Sequence, residues 1–351
     1  MPAVQAPAKV LVTGANGFVA VWVVKKLLED GFAVRGTIRS EDKGVYLKET
    51  FASYGDKLEL VVVKDITQDG AFDEAVKGVD AIQHTASPFH LNGTHPDDLI
   101  VPAVEGTRTI LRSTLRHGTD VKRFIITSSC SAIEELLPDP QVYTEDDWNT
   151  QSVKEVEEKG VNASASHVYR ASKTLAEREA WKFVEEHKNE IKWDLVAINP
   201  PYIFGPPLQE VASLDSLNMS MAAWYRYVVS GTADGEALAT AGNNWVDVRD
   251  CAAGHVHCMT VQQAGGHRIL SVAGAYKWQD WVNAARKIYP NLSVGNTTYD
   301  ASQALHPIRY NTSKFETLLG LKYHTMEETS KAILESFEER GLWKPAGLVN
   351  A

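Results

Sequence analysis

Tyr169 and Lys173 are the residues whose types and spacing point most directly to chemistry. They open the stretch His167-Val-Tyr-Arg-Ala-Ser-Lys-Thr-Leu-Ala-Glu-Arg, which is rich in strong helix formers. Four residues advance about 400° around a helix, so the two side chains leave the same face one turn apart. A phenol beside an ammonium can act as a proton donor. At neutral pH that use requires the phenol pKa of about 10 to fall by about three units, worth about 4 kcal/mol, and the ammonium supplies much of this by favouring the phenolate. Ser128 and Ser129 end the apolar run Val121-Lys-Arg-Phe-Ile-Ile-Thr, where the Ser129 hydroxyl can bond a substrate carbonyl oxygen as charge builds on it. The same Tyr/Lys spacing recurs at Tyr310 and Lys314, but that copy follows His306-Pro307 in a turn-like region. His84 ends a strand and reads as a buried structural histidine. His255, His257 and Cys258 do not read as a metal site, because ligands two apart on a helix point in different directions.

A proton donor of this kind needs a hydride source, and the start of the chain suggests one. Val10-Leu-Val breaks into Thr-Gly14-Ala15-Asn16-Gly17-Phe18-Val19-Ala20 and continues as Val-Trp-Val-Val-Lys-Lys-Leu-Leu. This reads as a buried parallel strand, a glycine turn and a helix whose free N–H groups face the pyrophosphate of a dinucleotide. Phe32 to Ile38 reads as a second strand that ends in Arg39-Ser-Glu-Asp-Lys43 rather than in an acidic residue. An acidic side chain there would bind the ribose 2′-OH of NAD, whereas Arg39 and Lys43 suit the 2′-phosphate of NADP. A third strand, Leu58 to Ile66, brings Asp65 and Ile66 to the adenine, and a fourth, Val79 to Pro88, carries Thr85 to Ser87 past the cofactor.

These residues must be positioned by an alternation of strands and helices. A helix over 99–117, a fifth strand through Ser129, the Tyr169 helix and a sixth strand, Trp193 to Asn199, complete a doubly wound parallel sheet of Rossmann type. From Pro200 to Gly235 the alternation stops, and its aromatic residues and methionines suit a substrate wall or ordinary core equally. Trp245 to Asp250 then opens a helix with Asp250 as N-cap, and His267 to Ala273 returns as a strand. Residues 1–200, with a returning segment at about 236–274, are therefore expected to bind the cofactor. Residues 201–235 and 275–351, with helices over 277–288 and 326–341, form a smaller C-terminal substrate lobe.

Composition sets limits. The 351 residues are 44% hydrophobic and 23% charged, which fits a folded globule with ample core, and the net charge of −10 argues against nucleic acid. No apolar run at the N-terminus suits a signal peptide and none later is long enough to span a membrane, so a cytoplasmic protein is expected. Three scattered cysteines, Cys130, Cys251 and Cys258, fit a reducing compartment, where triplets such as Asn92-Gly-Thr stay unmodified.

Taken together, the glycine turn, Ser129, Tyr169 with Lys173, and Asn199-Pro-Pro-Tyr-Ile-Phe-Gly-Pro resemble the extended short-chain dehydrogenases/reductases over nearly the whole chain. Gly-Ala-Asn-Gly-Phe-Val-Ala, His-Thr-Ala-Ser-Pro, Tyr-Arg-Ala-Ser-Lys and Val-Asp-Val-Arg-Asp are most similar to the fungal NADPH-dependent aldehyde and methylglyoxal reductases, relatives of dihydroflavonol 4-reductase and cinnamoyl-CoA reductase. The resemblance implies NADP(H) contacts at Gly14 to Val19, Arg39, Lys43, Asp65, Ile66, Tyr169, Lys173, Ile203 and Ser220. It also implies Ser129, not Ser128, as the catalytic hydroxyl. Many members carry Asn where Gly106-Thr-Arg-Thr109 has its last Thr, which argues against a proton relay through Thr109. The expected activity is reduction of a small-molecule aldehyde or ketone. Alternatives are a dihydroflavonol or cinnamoyl-CoA type reductase, a sugar-nucleotide epimerase or dehydratase, and an NADP sensor without turnover. The sequence leaves the oligomeric state open between monomer and homodimer.

Overall fold

The computed structural model describes residues 3–87 and 95–344; Pro88 and Asn92 lie outside the described residues. The chain runs β1 (Lys9–Val12), α1 (Phe18–Glu29), β2 (Ala33–Ile38), α2 (Val45–Thr50), β3 (Leu58–Val62), β4 (Ala81–His84), α3 (Asp97–His117), β5 (Arg123–Thr127), β6 (Gln141–Tyr143), α4 (Gln151–Lys159), α5 (Ala165–Glu186), β7 (Asp194–Asn199) and β8 (Tyr202–Phe204). It continues with α6 (Met219–Trp224), α7 (Gly235–Thr240), β9 (Gly242–Asp247), α8 (Val248–Thr260), β10 (Arg268–Leu270), β11 (Gly274–Lys277), α9 (Trp278–Ile288), β12 (Ile308–Tyr310), α10 (Ser313–Leu319) and α11 (Met326–Glu339).

Seven strands pair in parallel in the order β10-β7-β5-β4-β1-β2-β3. The expected Rossmann-type doubly wound sheet is thus present. Its strands read as continuous apolar runs because helices cover both faces, and β1, β4, β5 and β7 are almost wholly buried. Strand order reverses at β1, between β2 and β4, which is where ligands bind in open sheets of this kind.

Beside this sheet lies a second core. β8, β9 and β11 form a three-stranded sheet, and Phe204, Trp224, Trp245, Trp281 and Phe337 pack together against it. Of the segment 236–274, β9 belongs to this small sheet, whereas β10 pairs with β7 and α8 packs against α1. Met221 and Trp224 are fully buried there, which assigns them to core rather than to a substrate wall. The helix after β9 is capped by Asp247, whose carboxylate accepts the Arg249 N–H at 2.8 Å. Asp250, expected as the cap, lies inside α8 and holds His324 through its backbone N–H at 2.7 Å and its ring at 2.5 Å.

Arg123 of β5 ties β7 to the end of α8. Its fully buried guanidinium forks onto Asp194 of β7 at 2.6 and 2.9 Å and also donates to the carbonyls of Cys258, Val261 and Gln262 at the end of α8. One planar cation thereby neutralises a carboxylate and caps a helix. Arg123→Ala is expected to cost about 3–5 kcal/mol, because it strands that carboxylate and the helix-end carbonyls. Thermal denaturation checks this; a melting temperature equal to wild type would contradict it.

Candidate active site

Strands β1, β2, β4, β5 and β7 all end at the same edge. Thr13, after β1, is buried there. Its hydroxyl accepts the N–H groups of Thr85 and Ala86 at 3.1 and 3.0 Å and pairs with His84 Nδ1 at 2.9 Å. The Thr85 hydroxyl returns a bond to the Thr13 carbonyl. His84 is therefore a clamp between strand ends. Burial, then the charge of Lys173, pushes its pKa down to about 3, so it stays neutral.

The glycine turn sits directly above. Gly14 adopts a φ of +63°, and a Cβ there would come within 3.2 Å of the Ala86 side chain. Its N–H donates to Thr37 Oγ1 at 3.0 Å and that of Ala15 to the Thr37 carbonyl at 2.9 Å. The turn can lie this close to β2 only because residue 36 is glycine: a Cβ there would stand 2.7 Å from that of Ala15. Asn16 and Gly17 complete the turn, Gly17 is the N-cap of α1, and no side chain caps its first N–H groups. Phe18 and Val19 form the first turn of the helix, with Phe18 packed against the second core.

Arg39 and Lys43 follow β2 and are exposed, Lys43 in the single turn Glu41–Gly44. The third strand ends at Val62, earlier than expected, so Asp65 and Ile66 lie in the loop beyond it. Bonds from the Thr67 hydroxyl and N–H hold the Asp65 carboxyl below its usual range, helped by the nearby positive charge of Arg39. Ile66 lies over Gly106 of α3. Thr109 donates to the Thr67 carbonyl at 3.4 Å. On the far side Ser220 Oγ donates to the Ile203 carbonyl at 2.6 Å, which joins α6 to β8.

Tyr169 and Lys173 lie in the first turns of α5, whose N-cap Ser164 accepts the His167 N–H at 3.3 Å. The Tyr169 hydroxyl is hydrogen-bonded with Ser129, which is 8% exposed. Ser128 is directed elsewhere, donating to Glu177 at 2.5 Å. Lys173 Nζ lies 5.9 Å from the Tyr169 ring centroid and donates to Ser87 Oγ at 3.0 Å. The expected fall in the Tyr169 pKa is not found. Burial raises it, the Ser129 bond offsets this only in part, and the neighbouring phenol of Tyr202 adds to the rise. Burial also pushes Lys173 itself down to about 8.

The second Tyr/Lys pair is elsewhere: Tyr310 in β12 packs on Tyr143, and Lys314 in α10 faces Glu145 at 3.7 Å. Three residues escaped the sequence reading. Gly36 has been described; Glu177 and Arg268 form a buried pair, with Arg268 Nε 2.6 Å from Glu177 Oε1. Glu177 stands one helical turn beyond Lys173, a spacing that could have revealed it, whereas nothing in the sequence links Arg268 to a helix 91 residues earlier. Among the described residues no group of three or more His, Cys, Asp or Glu could hold a metal, and no helix is long and apolar enough to cross a membrane.

The model of the NAD dependent epimerase/dehydratase family matches residues 10–273. The chain belongs to this family. It is an extended short-chain dehydrogenase/reductase, and the family is NAD(P)-dependent. The chain is 36% identical over 325 residues to a ketoreductase of Aspergillus niger, covering 91% of this chain and 94% of that one. It is 33% identical over 344 residues to aldehyde reductase 2 of Sporidiobolus salmonicolor, covering 93% and 95%. The solved structure of yeast methylglyoxal/isovaleraldehyde reductase Gre2 complexed with NADPH superposes with a TM-score of 0.85 at 28% identity, covering 95% and 100%.

The low pKa of Lys173 has a visible consequence. The ammonium prevails below about pH 8 and the neutral amine above it, so a ligand held by the ammonium binds less tightly as pH rises through that value. Dinucleotide affinity measured against pH is expected to bend near 8, and Lys173→Met to weaken binding and remove the bend. A bend that survives in the variant would assign it to another group.

Proposed function

We propose that this chain is an NADPH-dependent carbonyl reductase that converts small aldehydes and ketones to alcohols. The observation that carries the reading is the bond between Tyr169 and Ser129 at the strand edge, with Lys173 one turn along the same helix. The ketoreductase and aldehyde reductase relatives support it.

The residues fit the cofactor on structural grounds. A Cβ at Gly14 or Gly36 would crowd the turn, the first N–H groups of α1 carry no side-chain cap, and Arg39 and Lys43 offer positive charge after β2. Gly14 to Val19 would face the pyrophosphate, Asp65 and Ile66 the adenine, Thr85 the bridge beside it, and Ile203 and Ser220 the nicotinamide end. When bound, the dinucleotide supplies the hydride for the carbonyl carbon. Ser129 holds the carbonyl oxygen and Tyr169 gives it a proton, so that carbon gains the hydride, oxygen gains the proton and a neutral alcohol leaves. Lys173 holds the nicotinamide ribose and favours the phenolate left on Tyr169. Burial leaves the Tyr169 hydroxyl protonated before reaction, and the bond to Ser129 works against that rise in its pKa.

Residues 1–200 with the returning segment at about 236–274 would make up the cofactor domain, apart from β9, which pairs with β8 and β11 in the small sheet, and 201–235 with 275–351 the substrate lobe. The pairing of β10 with β7 supports the return. Three buried free thiols suit the reducing cytoplasm.

Tyr169→Phe is expected to bind NADPH as the wild type does while losing most turnover, because the ring packs alike but cannot donate a proton. Retained turnover would place the donor elsewhere. Arg39→Ala tests cofactor choice. A charge-assisted pair with the 2′-phosphate is worth about 1.5–3 kcal/mol, so NADPH affinity is expected to fall about tenfold to a hundredfold while NADH affinity is unchanged. Equal weakening of both would make Arg39 a structural residue of its loop.

A further inference from the structure

We infer that Glu177 is a positioning residue for the hydroxyl pair Ser129 and Tyr169, acting through Ser128 and Asn199; this rests on the proposed role of those hydroxyls. Tyr169, Lys173 and Glu177 succeed one another at four-residue intervals and so lie along one stripe of α5. The third member is buried against the sheet edge, and its bonds among the described residues are as follows. Oε2 accepts from Ser128 Oγ at 2.5 Å and from Asn199 Nδ2 at 2.8 Å. Oε1 accepts from Arg268 Nε at 2.6 Å and from Trp181 Nε1 at 3.2 Å, while the second Arg268 nitrogen reaches Oε2 at 3.3 Å.

These bonds converge on Ser129. Asn199 spends its other amide hydrogen on the Ser129 carbonyl at 3.1 Å, and Ser128 is the preceding residue. The carboxylate therefore grips the Ser128–Ser129 backbone from two directions, from the helix that carries Tyr169. Few other bonds fix the Ser129 side chain: it accepts the Ser131 N–H at 3.1 Å and approaches the Pro200 carbonyl at 3.5 Å. Glu177, Ser128 and Lys173 line one small cavity of about 20 Å³. The influence of the carboxylate runs through the backbone it holds.

Arg268 makes this arrangement affordable. Its guanidinium neutralises Glu177, donates to the carbonyls of Glu145 and Asp147 at 2.7 and 2.6 Å, and lies 3.8 Å above the Trp148 ring. The ion pair alone would explain a stability effect, since removing one member of a buried pair leaves the other uncompensated. A positioning role predicts something that stability does not. Replacing both charges by apolar groups restores the fold but not the acceptor for Ser128 and Asn199.

The test compares Glu177→Leu, Glu177→Leu/Arg268→Met, Ser128→Ala and Tyr169→Phe by melting temperature, NADPH affinity and kcat. The double variant is expected to recover most of the melting temperature that Glu177→Leu loses and to bind NADPH within about twofold of wild type. Its kcat is expected to stay about tenfold to a hundredfold lower, the scale of a small misplacement of reacting groups. Ser128→Ala, which leaves the ion pair intact, is expected to lower kcat about fivefold or more with NADPH affinity unchanged, and it carries the test if the double variant does not fold. Normal kcat in the double variant or in Ser128→Ala, with Tyr169→Phe inactive, overturns the inference alone. An active Tyr169→Phe overturns the reading of the site and the inference with it.

Discussion

The structure depends on one constraint: the ends of its central strands are polar and buried, and each group there must find a partner. An unpaired polar group in such a place costs about 1–3 kcal/mol. The chain meets most of this by bonding strand end to strand end, while Gln83 Oε1 of β4 and Asn199 Oδ1 of β7 lie buried without a partner among the described residues. Thr13 holds Thr85, Ala86 and His84, Thr37 holds Gly14 and Ala15, and Glu177 holds Ser128 and Asn199. The network that satisfies the strand ends also determines where the glycine turn and the Ser129 hydroxyl stand. Stability and site geometry thus share the same bonds.

The second core is fastened to that edge from outside. Phe18 leaves the glycine turn to pack with it, and Tyr202, just beyond β7, brings its phenol near Tyr169. At its far end Asp247 receives both Arg249 and the Thr329 hydroxyl, and Asp250 receives His324, which binds the approach to α11 onto α8.

What was legible in the sequence had a local cause. The apolar run, the glycines and the amphipathic run after them specify β1, the turn and α1 because each is a property of neighbouring residues. The four-residue interval from Tyr169 to Lys173 works in the same way, and so does Arg39 as the residue just after β2. What was illegible depended on tertiary approach. Gly36 is needed only because Ala15 lies against it, and Arg268 reaches Glu177 only after an inserted segment has made its own small sheet. Asp247 and Asp250 were equally good caps by type, and the choice fell to Asp247 because its helix starts directly at the end of β9. The acidity of Tyr169 failed for another reason: the proximity of an ammonium was inferred correctly, but the weight of burial was not.

The edge formed by Ser129, Tyr169 and Lys173 is proposed to reduce carbonyl groups with a hydride from NADPH. The direct measurement follows NADPH oxidation and alcohol formation together across aliphatic aldehydes, aryl ketones, β-keto esters and dihydroflavonols. The account predicts that at least one class is reduced with one alcohol formed per NADPH consumed, and more slowly with NADH. Tight NADPH binding with no carbonyl reduced in any class would contradict it and leave a dinucleotide-binding protein without this chemistry.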